Sequence, residues 1–131
     1  MPAPRDIISD WHRYLNAREL DALAELIAPT VEIAGPRGEG TGSPADLRDW
    51  VERSGIRLTP VRTWARGDAV VVEQSAHWSG PGNSATEEPT DAQSVFTAFQ
   101  VDDGRITRLL RFDALAPALA VSGLSARDLV P

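Results

Sequence analysis

Val95-Phe96-Thr97-Ala98-Phe99-Gln100-Val101-Asp102-Asp103-Gly104-Arg105-Ile106 is the stretch that decides the fold of this chain. Its apolar run has the length and the aromatic and β-branched content of a strand, and Asp103-Gly104 is the dipeptide that a two-residue hairpin turn favours, because both central residues of that turn need positive φ. The turn feeds a further strand that ends at Arg111-Phe112-Asp113, so charged groups arrive at one end of the sheet. Working backwards, Ala69-Val70-Val71-Val72 opens another strand, and Ile56 to Trp64 reads as a strand that Pro60 confines to an edge or a bulge. The long segment Ser79 to Pro89 joins Ala69–Trp78 to a strand over about 91 to 102, as either a lid or a dispensable loop.

The front half reads as helices. Ile8, Trp11 and Leu15 fall at i, i+3 and i+7 between Arg5 and Asn16, and Leu20, Leu23, Ala24 and Ile27 repeat the stripe until Pro29 stops it. Thr30 to Ala34 reads as a short strand, and Gly35 to Gly42, with four glycines in eight residues, as a flexible loop. That loop has neither the spacing nor the lysine of a phosphate-binding loop. Ser43-Pro44-Ala45-Asp46 starts a third helix, with a serine cap, proline at the first position and an acid at the third, and Gly55 ends it. Ala114 to Val121 predicts a short closing helix before Gly123. The sum is an α+β chain, one domain over 1–131, in which three helices pack into the concavity of a curved antiparallel sheet and enclose a mostly apolar pocket.

Composition excludes several functions. A net charge of −6 and no lysine among 13 basic residues leave no cationic surface for nucleic acid. Without cysteine there is no thiolate nucleophile or thiolate metal site, and His12 and His77 lack metal-ligand spacing, so a metal site would have to be built of carboxylates, and none is expected. No apolar run has the roughly 20 residues of a membrane span and no leader-like segment opens the chain, which predicts a cytoplasmic protein.

Strand alternation puts Glu73, Ser75 and His77 on one face, where they either line the cone or lie on a solvated or dimer-forming surface. Glu73 and His77 would stand about 13 Å apart, able to bracket a ligand but not to touch. Arg111 and Asp113 share a face of the last strand; Asp113 is either a general acid–base group or the N-cap of the closing helix. Trp11 and Trp50 would wall the pocket or simply fill the core, whereas Trp64 and Trp78 would cover the outer sheet face and carry a homodimer across it.

The order of elements, with Leu15 to Leu23 between the first helices, Val101 to Ile106 at the last turn and Phe112-Asp113 leading into Ala118 to Leu124, resembles the nuclear transport factor 2-like superfamily, and within it the SnoaL-like and ketosteroid-isomerase-like bacterial proteins. The steroid-isomerase mechanism is not implied: Val31-Glu32 is followed by Ile33 where that family has its base, Trp11 stands where it has its oxyanion tyrosine with Tyr14 about one turn away, and no acid stands at Val95 to Thr97. Leu110 likewise replaces the first acid that epoxide-hydrolase-like members carry before Arg111-Phe112-Asp113. The SnoaL-like resemblance implies instead cofactor-independent acid–base cyclisation, isomerisation or dehydration of an apolar, polyketide-like molecule. Asp113 or His77 would move the proton, and Arg111, Trp11, Tyr14, Trp50 and Glu73 would line or hold the ligand. A non-catalytic binding or dimerisation module of the same fold is the alternative.

Overall fold

The computed structural model describes residues 3–35, 38–77 and 93–130. Helix α1 (Pro4–Ala17) starts on proline, whose missing N–H costs nothing in a first turn, and turns its Ile8–Trp11–Leu15 stripe inward. Helix α2 (Leu20–Glu25) is shorter than its sequence pattern, because Ile27 already pairs with Ile106 as the first residue of β1 (Ile27–Gly35). Strand β2 (Gly38–Gly42) occupies five of the eight residues of the glycine-rich segment expected to be a loop and pairs antiparallel with β1. Glycine suits that hairpin at Gly42, where a Cβ would come within 2.7 Å of the Ile33 side chain.

Helix α3 (Pro44–Ser54) begins as the sequence predicts. The Ser43 hydroxyl accepts from the Asp46 N–H, the Asp46 carboxylate accepts from the Ser43 N–H, and Gly55 closes the helix at a φ of 61°. The chain then runs as an antiparallel meander of β3 (Arg57–Arg66), β4 (Ala69–His77), β5 (Gln93–Asp102) and β6 (Arg105–Phe112). Pro60 lies beside a bulge in β3, which is an edge strand, and Asp103 and Gly104 take φ values of 52° and 78° in the β5–β6 turn. Proline is tolerated there because no neighbour needs its N–H.

The six strands form one curved sheet in the order β2-β1-β6-β5-β4-β3. Every ladder is antiparallel except that between β1 and β6, which closes the meander against the N-terminal half. Residues from α1, α2 and α3 bury the concave face around Trp11, Leu23, Val51, Val70, Val72 and Phe99. Asn16 fixes α1 to the sheet as a strand would: its side-chain amide donates to the Leu58 carbonyl at 2.7 Å and accepts from the Leu58 N–H at 3.0 Å.

The convex face is covered by the chain itself. Helix α4 (Leu115–Ser122) and Leu124 pack on Trp64, Val71, Ala98 and Leu110. Trp64, expected on an exposed patch, is only 2% exposed, and Val130 donates to the Thr63 carbonyl along the edge of β3. The exposed aromatic surface that would have joined two copies at Trp64 is therefore absent; Trp78 and the segment Ser79 to Pro89 lie outside the described residues. No helix among the described residues is long and apolar enough to cross a membrane.

Candidate functional site

Alternation along β4 sends Val70, Val72, Gln74 and Ala76 to the concave face and Ala69 and Val71 to the face under α4. Gln74 is thus a polar residue in an apolar row, and it is fully buried. It is the centre of a chain of hydrogen bonds. The Thr97 hydroxyl on β5 donates to Gln74 Oε1 at 2.7 Å, Gln74 Nε2 lies 2.7 Å from His12 Nε2, and His12 Nδ1 lies 2.8 Å from the Ile8 carbonyl. A carbonyl oxygen only accepts, so Nδ1 carries the imidazole proton and Nε2 accepts from the Gln74 amide.

His12 is 3% exposed, with the Trp11 ring 5.0 Å away and nearly perpendicular, and Trp11 in turn meets the Phe99 ring edge-on at 5.2 Å. Burial pulls the imidazole pKa from 6.5 down to about 4, although the Ile8 carbonyl works in the other direction. Neutral His12 is what the hydrogen-bond order requires, and the apolar surroundings supply it.

Arg111 is the cross-strand partner of Thr97 on the same face. Its burial lowers the guanidinium pKa, while the nearby Asp113 carboxylate opposes that shift. The inner face therefore carries Thr97, Gln74, His12 and the base of Arg111 among apolar walls. Trp11 is fully within those walls, and Trp50, on α3, is half-buried against them.

The remaining predicted residues fall elsewhere. Glu73, Ser75 and His77 share the convex face with Val71, so the polar set of β4 does not line the concavity. Glu73 there accepts from Arg62 Nε at 2.6 Å, and Arg62 also stacks over Trp64. His77, half-buried, ends β4 opposite Arg57. Tyr14 packs its ring on the core edge, but its hydroxyl reaches the surface, 3.4 Å from an Arg13 nitrogen. Asp113 is exposed just after β6, and it caps nothing: Ala114 is the residue before α4 and gives no side-chain hydrogen bond. The capping alternative for Asp113 is thereby removed.

Sequence reasoning passed over His12, Gln74 and Thr97. The signals were there: His12 is four residues beyond Ile8 on the buried helix face, and Gln74 falls in phase with Val70 and Val72. A shallow, open hollow with only about 10 Å³ of room lies on the convex side between α4 and the sheet, lined by Ala98, Gln100, Arg108, Leu110, Val121 and Ser122. It is below the roughly 300 Å³ at which small-molecule pockets begin. Among the described residues, no three imidazole or carboxylate groups converge as a metal site needs.

Residues 8–109 match the model of the SnoaL-like domain. The chain belongs to the SnoaL-like family. No curated protein matches it. Among solved structures, a protein from Sinorhizobium meliloti assigned as a polyketide cyclase is 25% identical, with a TM-score of 0.64 over 86% of this chain and 95% of that one. A protein of ketosteroid-isomerase-like fold from Catenulispora acidiphila, crystallised with trimethylamine, is 22% identical and superposes with a TM-score of 0.69 over 96% and 98% of the two chains. SalBIII, an epoxide hydrolase/cyclase-like enzyme of pyran ring formation in the polyether salinomycin, is 16% identical, with a TM-score of 0.72 over 96% and 93%. At these identities the last two speak for the fold.

Proposed function

We propose that this SnoaL-like protein takes a mostly apolar, oxygen-bearing small molecule of the polyketide kind on the concave side of its sheet, with Arg111 holding one of the ligand oxygens. The observation that carries this reading is the polar chain Thr97–Gln74–His12, sunk in an apolar concavity with Arg111 across from Thr97. Buried polar groups contribute little net stability even when satisfied, and an all-apolar row would pack this sheet as well. Polarity kept at such a place points to work other than folding. The polyketide assignment of the Sinorhizobium relative supports the ligand class.

In the catalytic form of this reading the reaction is a cyclisation, isomerisation or dehydration without a cofactor. Arg111 stabilises charge developing on a carbonyl oxygen, and Asp113, two residues further along, moves the proton. His12 is unsuited to that task at neutral pH, since both ring nitrogens are engaged and its pKa is about 4. The exposure of Asp113 and the convex placement of His77 favour a second reading, in which the molecule is held and not converted. A homodimer also remains a proposal, now without the Trp64 patch, and sedimentation at micromolar concentration tests it.

The test titrates the protein with 4-hydroxy-2-naphthoate, an apolar bicycle bearing two oxygen functions, and follows tryptophan fluorescence. Saturable binding that Arg111→Gln weakens at least tenfold supports the concave site; no binding, or binding indifferent to Arg111, overturns it. Once a substrate is known, Asp113→Asn separates the two forms. A rate loss of about a hundredfold with binding intact identifies an acid–base catalyst, and an unchanged rate removes Asp113 from the chemistry.

A further inference from the structure

The hydrogen bonds behind Thr97 run in one direction only. The Ile8 carbonyl accepts, so His12 Nδ1 donates; His12 Nε2 must then accept, so Gln74 turns its NH₂ toward the ring and its Oε1 toward Thr97. The Thr97 hydroxyl proton is spent on that Oε1 at 2.7 Å. A hydroxyl has one proton, and what Thr97 has left to offer is its lone pairs. Arg111, its cross-strand partner, has donors and no acceptor. One end of this pair can only accept and the other can only donate.

We propose that the His12–Gln74 pair is a positioning device that fixes Thr97 as a hydrogen-bond acceptor, so that the concave site selects a ligand with a hydroxyl donor within a few bonds of a carbonyl or carboxylate oxygen. The hydroxyl donates to Thr97 and the second oxygen accepts from Arg111. Phenolic and enolic carbonyl compounds have this pattern; their methyl ethers do not. Discrimination of this kind is strong where it occurs, because an acceptor buried without its donor bears the desolvation cost of the group. The inference rests on the concave-site reading above and adds to it the identity of two positioning residues and the polarity of the preferred ligand.

The experiment compares 4-hydroxy-2-naphthoate with 4-methoxy-2-naphthoate by fluorescence titration of the full chain. The hydroxy compound is expected to bind at least tenfold more tightly. Thr97→Val should bring the ratio close to one and Thr97→Ser should restore it, which separates hydrogen bonding from the bulk of the methyl group. Gln74→Leu keeps Thr97 but releases its proton, so the ratio should fall several-fold while the hydroxy compound still binds. A ratio unmoved by Thr97→Val overturns the inference while leaving the concave site standing; failure of both compounds to bind wild-type protein overturns the concave site itself. Should Gln74→Leu not fold, the ¹⁵N shifts of His12 in the wild-type protein decide: a neutral ring protonated at Nδ1 at pH 7 is required, and a ring protonated at Nε2 overturns the polarity.

Discussion

The two faces of this sheet are both buried, and they are buried by different means. The concave face is lined by large side chains from three helices, and its polar groups are few, with His12, Gln74 and Thr97 bonded in one chain. The convex face is thinly covered by α4 and the following tail, and its charges form ion pairs in reach of water, Glu73 with Arg62 and Glu32 with Arg108. Each of those carboxylates has solvent and an arginine partner at hand. On the concave side His12 has neither, and desolvation holds its imidazole neutral. Paired charged residues are concentrated on the convex side, and a sequence-based search that gathers titratable groups by type is drawn to that face.

The largest expected effect lies in the concave core. Trp11→Ala removes a side chain that is 1% exposed and should cost about 3–5 kcal/mol in denaturant unfolding. A loss below about 1 kcal/mol would show that the concave side is loosely packed, and the contrast between the faces would fail. Next comes acid. The folded pKa of His12 is depressed to about 4 from 6.5, so the unfolded chain binds more protons between those values and stability falls as the pH falls through that window, by about 3 kcal/mol in total. His12→Gln should flatten that part of the pH profile; an unchanged slope would place the acid sensitivity elsewhere.

Gln74→Leu leaves His12 Nε2 and the Thr97 hydroxyl without their shared partner and should destabilise by about 1–3 kcal/mol in thermal unfolding. A neutral or stabilised variant would mean that the polar chain relaxes to other partners. The smallest effect belongs to the convex surface, where Glu32→Gln breaks the 2.9 Å pair with Arg108 and should cost under about 1 kcal/mol. A cost matching that of Gln74→Leu would erase the distinction between the faces.

What was legible in the sequence was local chemistry. Ser43 and Asp46 form the cap their spacing implies, Asp103-Gly104 makes the turn that positive φ demands, and Pro60 marks an edge and a bulge because a proline cannot serve a central strand. The SnoaL-like resemblance fixed the assembly that these signals serve. Less legible was anything decided by a distant neighbour. Gly38–Gly42 has the composition of a loop and becomes a strand because β1 offers it an edge. Glu73 and His77 were correctly placed on one face of β4, yet periodicity of two says nothing about which face the helices cover. Asp113 has the right residue type for a cap, but the helix starts one residue later, after Ala114. Gln74 was hidden by its own neighbours, since a run of valines reads as apolar on both faces.

The parallel pairing of β1 with β6 has a consequence for how the molecule comes into being. Glu32 and Arg108 meet across that pairing although they stand 76 positions apart in the chain, and Ile106 hands its N–H to the Leu26 carbonyl at the same seam. Until β6 exists, the β1–β2 hairpin is a ribbon cut off from the β3–β4 strands on which α1 lies. Contacts of such long span slow folding, because the loop they close must lose its freedom before any of them forms. On a translating ribosome β1 waits for the last strand, β6, to emerge, and for those seconds its open edge is exposed to proteases and to other chains.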